Sequence, residues 1–395
     1  MNFASGLGGT VALSLGVLAW TALSAILYAY LGYPIIARWL FAPISSIPPT
    51  SIATSPPLLT VLVPARNEVA VIGERLANLL AQDYPADRLE VLVISDASDD
   101  GTDEVVSALD DPRIRLIRQP TRQGKTAAIN RGAPLARGEI LVQTDANVSF
   151  APGTLLALAR AFDDPSVGLV LGEVKFVNQE QPEVAGGEGL YWRWETWVKR
   201  IEAERGLLAV ANGGIYALRT SLWQPLPAAI AGDAAEPLLV ARAGFRVAVA
   251  ARAVALERAS DTLAEEFQRK TRIIAQQVAC ARFIGLTELP PRILFAYVSH
   301  KLMRYAVPVF GSFAVLASTA AWILGSTWGA VPALCVLAPA ACLPMTLLPL
   351  PAVLARPLQI ARYLLMVNLA ALVGSWRGLA GGAPAVWETP ASTRR

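Results

Sequence analysis

The sequence predicts an α/β domain with a mostly parallel sheet, enclosed between membrane-spanning segments. Short apolar runs of β type alternate with helical patterns from Leu58 to Asp145, the signature of strands covered by crossover helices. Polar residues gather where those runs end, at Arg66 to Glu68, Asp96 to Asp100, and Asp145 with Asn147; open sheets of this kind bind ligands beyond the carboxyl ends of their strands. Charge is missing from both flanks. None occurs from Met1 to Ala37 or from Tyr305 to Ala355, so 59 of the 65 charged residues lie between Arg38 and Arg304. The 395-residue chain is 54% apolar and 16% charged, against roughly 45–50% and roughly 25% in soluble domains. An ordinary soluble enzyme is excluded.

Residues 1–40 read as an N-terminal anchor. Val11 to Leu31 is long enough to cross roughly 30 Å of hydrocarbon. Tyr28, Tyr30, Tyr33 and Trp39 mark one interface, and Arg38 beyond it assigns that end to the cytosol. The run is too long for a signal-peptide core and lacks a basic leader, so it reads as uncleaved. Residues 41–57, uncharged and rich in Pro, Ser and Thr, cannot hold a helix and form an extended linker.

Residues 58–290 form the cytosolic domain. LLTVLVP leads to a helix near Val69 to Ala81, LEVLVIS to one near Thr102 to Leu109, IRLIRQ to one near Lys125 to Ala136, and EILVQTD closes the series. Residues 291–380 hold an interfacial helix, PRILFAYVSHKLMR, and two to three spans: near Tyr305 to Leu324, near the Pro-rich Val331 to Leu350, and a short one. Only 14 uncharged residues, Tyr363 to Trp376, separate Arg362 from Arg377 in that last segment, about 21 Å of helix. Residues 381–395 are a tail.

A net charge of +3 without a polybasic block gives no nucleic-acid footprint. Cys280, Cys335 and Cys342 lack metal spacing, and two lie in the apolar C-terminal stretch, so neither zinc nor a disulfide framework is expected. The first strand ends VPARNE without the G-x-G-x-x-G that cradles a dinucleotide. VISDASDDGT places Asp96, Ser98, Asp99 and Asp100 in a turn closed by Gly101, where the plainer reading is turn and helix-cap chemistry. QTDAN sets Asp145 at a strand end with Asn147 two residues on. A carboxylate there, beside a diphosphate, suits Mg²⁺ or Mn²⁺, with Asn147 a neutral ligand in place of a second acid. The sole histidine, His300, has no acid near it in sequence and reads as an interfacial hydrogen-bonding group. Tyr191, Trp192, Trp194 and Trp197 are suited either to stacking on sugars or to packing.

Taken in order, VPARNE, VISDASDDGT, RQGKTAAINRG, TDAN, ANGGIYALR and GDAAEPLLVARAGFRV resemble the motifs of the family 2 inverting glycosyltransferases with a GT-A fold. The subgroup it most resembles is that of the membrane-bound poly-N-acetylglucosamine, hyaluronan and cellulose synthases. The resemblance implies hexosyl transfer from a UDP-sugar to a glycan or lipid acceptor at the cytoplasmic face of a bacterial-type inner membrane, for cell-surface polysaccharide synthesis. It places Ala65, Asn67 and Glu68 near uracil and ribose, Asp96 and Ser98 at the nucleotide, Lys125 beside it, and Asp145 with Asn147 at the metal. Asp233, eleven residues before Gly244, takes the position of the catalytic base, although Ala231 and Gly232 replace the Thr and Glu that usually precede it. On the residues alone Asp233 reads equally as a helix N-cap.

The chain departs from the family at its Q-x-x-R-W motif. FQRKTRII puts Arg269 at the glutamine, Arg272 at the arginine and Ile273 at the tryptophan that stacks on acceptor sugar. Both arginines are assigned to the nucleotide sugar, the plainer reading being a solvated helix face. An aliphatic residue at 273 and few spans favour a short or lipid-linked product. Transfer of a single sugar to a polyprenyl phosphate is the alternative, and a non-catalytic scaffold or transporter is disfavoured by the uncharged spans. Homo-oligomers stay open, since associated copies could complete a channel.

Overall fold

The computed structural model describes residues 2–44, 55–177, 182–258, 262–341 and 352–386. Most of the Pro-rich linker, the later part of the second C-terminal span with Cys342, and the end of the tail lie outside them.

The chain opens with α1 (Asn2–Leu27), a π-helical turn and α2 (Tyr33–Leu40). The domain then alternates β1 (Leu59–Ala65), α3 (Ile72–Leu80), β2 (Leu89–Ser95), α4 (Thr102–Ser107), β3 (Ile114–Arg118), α5 (Lys125–Gly132) and β4 (Ile140–Thr144), as the sequence predicts. After β5 (Ser149–Phe150), α6 (Thr154–Arg160) and β6 (Val167–Phe176) come α7 (Pro182–Glu204), β7 (Ile215–Arg219), α8 (Gly232–Arg242), β8 (Arg246–Glu257) and α9 (Leu263–Ile284).

The eight described strands form one sheet in the order β3-β2-β1-β4-β7-β6-β8-β5. β1 lies parallel to both β2 and β4, and β2 to β3. The sheet is more mixed than expected beyond β4, because β7 runs antiparallel between β4 and β6, although β6 and β8 are again parallel. Helices cover both faces. Val61, Val63 and Val91 belong to one apolar core, while Leu62, Leu92 and Ile94 belong to the other. Burial on both sides is why these strands are continuous apolar runs without alternation.

Among the described residues, three helical segments are long and apolar enough to cross a membrane: Gly8–Leu40, Pro291–Ile323 and Pro357–Leu379. The second joins α10 (Pro291–Tyr297), a π-helical turn (Val298–Leu302) and α11 (Met303–Ile323). The interfacial helix expected over 291–304 runs without a break into that span, as the sequence reads, and its basic residues His300, Lys301 and Arg304 are buried. α12 (Val331–Ala341) is shorter, and α13 (Ala352–Leu379) is twice the expected uncharged length because Arg362 and Arg377 lie within the helix. Leu316, Ile323 and Trp376 are 70%, 72% and 73% exposed, an outward apolar surface suited to lipid.

The third span lies along α9. A Cβ on Gly374 would stand 2.7 Å from the Thr271 carbonyl oxygen, and one on Gly378 2.6 Å from that of Ala275. These glycines, four apart on one face, let the backbones approach. Gly378→Val is expected to lower stability by about 1–3 kcal/mol, the usual cost of overpacking. Gly9→Val, with nothing within 4 Å, should leave the melting temperature of the detergent-solubilised protein nearly unchanged.

Candidate active site

The ends of β1 and β2 lock each other. Asn67 and Ala97 adopt left-handed backbone, at φ 56° and 58°. The Asn67 side chain donates to Asp99 Oδ1 (2.8 Å) and accepts from the Asp99 amide (3.1 Å). The Asn67 amide donates to Ser98 Oγ, and that of Val69 to Asp100 Oδ2. Much of the expected acidic cluster is thus consumed in holding two turns together. Ala65, Arg66, Glu68 and Asp96 line a cavity of about 970 Å³, whereas Asn67 and Ser98 do not. Asp96 is itself an anchor: Oδ1 accepts from Gln119 Nε2 and the Gln123 amide, and Oδ2 from the Gly124 amide (2.8 Å). It thereby fixes the loop that leads into α5.

Lys125 opens α5, and its Nζ donates to Asp145 Oδ1 at 2.5 Å and to the Gly213 carbonyl at 3.3 Å. Beneath Asp145, the buried Arg75 donates to Thr144 Oγ1 (2.9 Å) and stacks on Phe150; burial pulls its guanidinium down to about 9. Arg75 carries no sequence signal, because Thr144, the partner that places it under the site, is 69 positions away.

Asp233 owes its placement to a proline. Pro237 has no amide hydrogen to give the Asp233 carbonyl four residues back, and that carbonyl accepts instead from the Ala211 amide at 2.8 Å. This bond ties the first turn of α8 to the loop Ala211–Gly214. Ala231 is the N-cap, without a side-chain bond, so the alternative reading of Asp233 as the cap does not hold. A Cβ on Gly213 would lie 3.3 Å from Asp233 Oδ2 and 3.8 Å from Lys125 Nζ, which puts carboxylate and ammonium on one side of the glycine. Burial raises the Asp233 carboxyl above the ordinary aspartate range, against the attraction of Lys125 and Lys199.

One turn on, Glu236 is 2% exposed. Both its oxygens accept from Gln143 Nε2, whose own Oε1 accepts from Tyr216. Burial raises Glu236 to about 7. An acid within AAEPLL carries no motif signal, so Glu236 is not marked in the sequence.

α9 brings Arg269, Arg272 and Ile273 to the same cavity. Arg269 pairs with the buried Glu266, so the solvated-face alternative fails for it. Burial lowers Arg272 to about 10 while Asp145 and Asp233 pull it upward. Residues Pro384 to Val386, beyond α13, fold back to the loop: Gln276 Nε2 donates to the Pro384 carbonyl, and the Ala385 carbonyl sits where a Cβ on Gly124 would be. The cavity then continues past Trp192 and Tyr191 to Tyr30, Arg304 and Asn368, each from a different candidate span. Trp197 is 45% exposed and outside it.

Residues 60–222 match the sequence profile of the glycosyl transferase family 2. This stretch is a family 2 glycosyltransferase domain. An N-acetylglucosaminyltransferase of Rhizobium leguminosarum bv. viciae is 29% identical over 280 residues, covering 65% of each chain. A beta-monoglucosyldiacylglycerol synthase of Trichormus variabilis is 28% identical over 171 residues, covering 42% of this chain and 36% of that protein. The chain thus spans from about one-third to two-thirds of these relatives. A solved mannosyltransferase of Pyrobaculum calidifontis, in complex with GDP-mannose and Mn²⁺, superposes with a TM-score of 0.68 at 27% identity, covering 91% of this chain and 99% of that one. The GT-A fold of the glycosyltransferase domain is thereby established together with its flanking apolar helices.

The donors present suit a divalent ion on one condition. Among the described residues no three His, Cys, Asp or Glu side chains converge as a metal cage, while the Asp145 side chain is 33% exposed to the cavity and Asn147 lines it. One carboxylate and one amide oxygen fit an ion that keeps waters and shares a diphosphate.

Glu236 gives the glycosyltransferase domain a pH signature. Its folded value lies above the unfolded one, so its contribution to stability is complete below about 4.5 and is lost as pH rises through about 7. Glu236→Gln should therefore abolish a decline in stability between pH 5 and pH 8, worth at most about 3 kcal/mol, measured by denaturant titration at both values.

Proposed function

We propose that the chain is an inverting glycosyltransferase that moves a hexosyl group from a UDP-sugar to a glycan or lipid acceptor at the cytoplasmic face of a membrane. The observation that carries this reading is the continuity of one cavity, with Asp145, Lys125 and Arg272 on its wall, Asp233 beside them, and an extension among the candidate spans. A donor held by its diphosphate would meet an acceptor arriving from the bilayer within one enclosure.

In this reading Lys125 and Arg272 face the diphosphate and offset the charge that develops as it leaves. Asp145, with Asn147, would hold Mg²⁺ or Mn²⁺, which adds positive charge at the leaving group. Ala65, Arg66 and Glu68 face the nucleoside, and Arg269 the donor. Asn67, Ser98 and Asp96 act one step removed, by fixing the turns and the loop that shape the nucleotide pocket. Asp233 takes the proton of the acceptor hydroxyl as the new bond forms. Its burial makes it a stronger base than a surface aspartate. A single displacement inverts the anomeric centre. Ile273 on the cavity wall offers an acceptor sugar no flat aromatic face, which favours a short or lipid-linked product.

Asp233→Asn should lower turnover by at least about 10²-fold while UDP affinity, measured by calorimetry with Mn²⁺, is retained. Lost UDP affinity with normal turnover of bound donor would remove Asp233 from the base role. The acidic limb of the pH–rate profile should fall at a value above that of an ordinary aspartate, since a raised base is silenced sooner as pH drops. Asp145→Ala should abolish the Mn²⁺ dependence of UDP binding, and turnover unaffected by excess EDTA would refute the metal's part.

A further inference from the structure

The membrane end of the cavity carries charge that the donor does not use. Glu195, on α7, accepts from Lys301 Nζ (2.5 Å) and Arg304 Nη1 (2.6 Å), and Lys199 Nζ stands 3.7 Å away. All four side chains are at most 8% exposed, and all four line the cavity. Three basic side chains, with His300 Nε2 at 3.2 Å, thus share one carboxylate. Glu202 lies outside the lining and is engaged by Tyr33 and His300. Lys270, another lining residue, is already paired with Glu266 at 3.3 Å and sits 5.0 Å from the centre of the Tyr191 ring, on which Arg304 also packs at 5.4 Å. A cation removed from water is costly unless an anion meets it, and a surplus of this kind at a cavity wall is an anion site in charge and geometry. Burial depresses Lys199 below the ordinary lysine range against the pull of Glu195, Glu202 and Asp233.

The cluster also faces the bilayer side. Lys301 and Arg304 belong to the segment Pro291–Ile323, and Tyr30 and Asn368, from the first and third candidate spans, line the same end. An anion arriving here from the membrane carries a hydrocarbon tail. Lys199 links the cluster to the reacting centre, because its Nζ donates to the Ala211 carbonyl and to Asn212 Oδ1, and the Ala211 amide holds the Asp233 carbonyl.

We propose that Lys199, Lys301 and Arg304 bind the phosphate of a phosphorylated lipid acceptor, so that a hydroxyl of its head group, the group that attacks and gives its proton to Asp233, lies beside that carboxylate while the lipid chain leaves between the spans. The proposal rests on the glycosyltransferase reading above and adds the acceptor's chemical class.

The test is calorimetric titration of the full chain in neutral detergent with farnesyl phosphate, farnesol and inorganic phosphate, each with and without saturating UDP and Mn²⁺. Farnesyl phosphate should bind at least about tenfold more tightly than farnesol, the discrimination expected of charged hydrogen bonds. It should also bind more tightly than inorganic phosphate and alongside UDP. Equal affinity for farnesyl phosphate and farnesol would overturn the anion site. Equal affinity for inorganic phosphate would overturn the lipid assignment, and displacement by UDP would return these cations to the donor. Lys301→Gln removes one surplus cation and keeps a donor for Glu195. It should weaken farnesyl phosphate binding about tenfold without lowering the melting temperature of the ligand-free protein or its UDP affinity. A lower melting temperature with unchanged affinity would show a purely structural ion pair. Failure of the unaltered chain to bind UDP would overturn the donor reading instead, leaving the contrast between farnesyl phosphate and farnesol to decide the acceptor.

Discussion

The position of the cavity depends on the two buried carboxylates of α7. Glu202 accepts from Tyr33 (2.7 Å) and meets His300 Nδ1, while Glu195 gathers Lys301 and Arg304. The first candidate span and the second are thereby held to the same helix of the soluble domain. Tyr33 and Trp194 also pack on the His300 ring. Removing either carboxylate from such a network would leave uncompensated cations in an apolar setting, at a cost of about 3–5 kcal/mol. The spans are thus fixed relative to the sheet by charge as well as by apolar contact, and the cavity opens between them.

That constraint converts an ordinary α/β site into one that extends among the candidate spans. The strand ends supply Asp96 and Asp145, α5 supplies Lys125, and the Pro237-freed carbonyl of Asp233 draws the Ala211–Gly214 loop against α8. Each of these is a local consequence of sequence: a carboxylate ending a strand, a lysine opening a helix, a proline inside one. Their convergence is tertiary. α9 and α13, joined through Gly374 and Gly378, carry the arginines and the third span around the same space.

Much of this was legible in the sequence where the chemistry is local. Strands β1, β2 and β4 were visible because burial on both faces makes them unbroken apolar runs. Asp96, Lys125, Asp145 and Asp233 were visible because motif spacing marks them, and the structure brings all four to one cavity. Other features depend on distant partners and left no such mark. Glu195 and His300 lie 105 positions apart, so the histidine seemed to lack an acid that the fold supplies twice. Asn67 and Ser98 carry the right side chains for ligand contacts, yet their hydrogen bonds are satisfied within the turn. The antiparallel insertion of β7 was missed because a short apolar run says nothing of direction. The third candidate span reads as short in the sequence because Arg362 and Arg377 bound its uncharged stretch, whereas the helix carries both.

A single displacement by an activated acceptor, with Asp233 opposite the departing diphosphate, is the chemistry on which the whole reading turns. Proton NMR of the first product made by the purified protein from an α-linked UDP-sugar tests it without reference to any variant. A β-linked anomeric centre is the expected result. An α-linked product would contradict single displacement and with it the role given to Asp233.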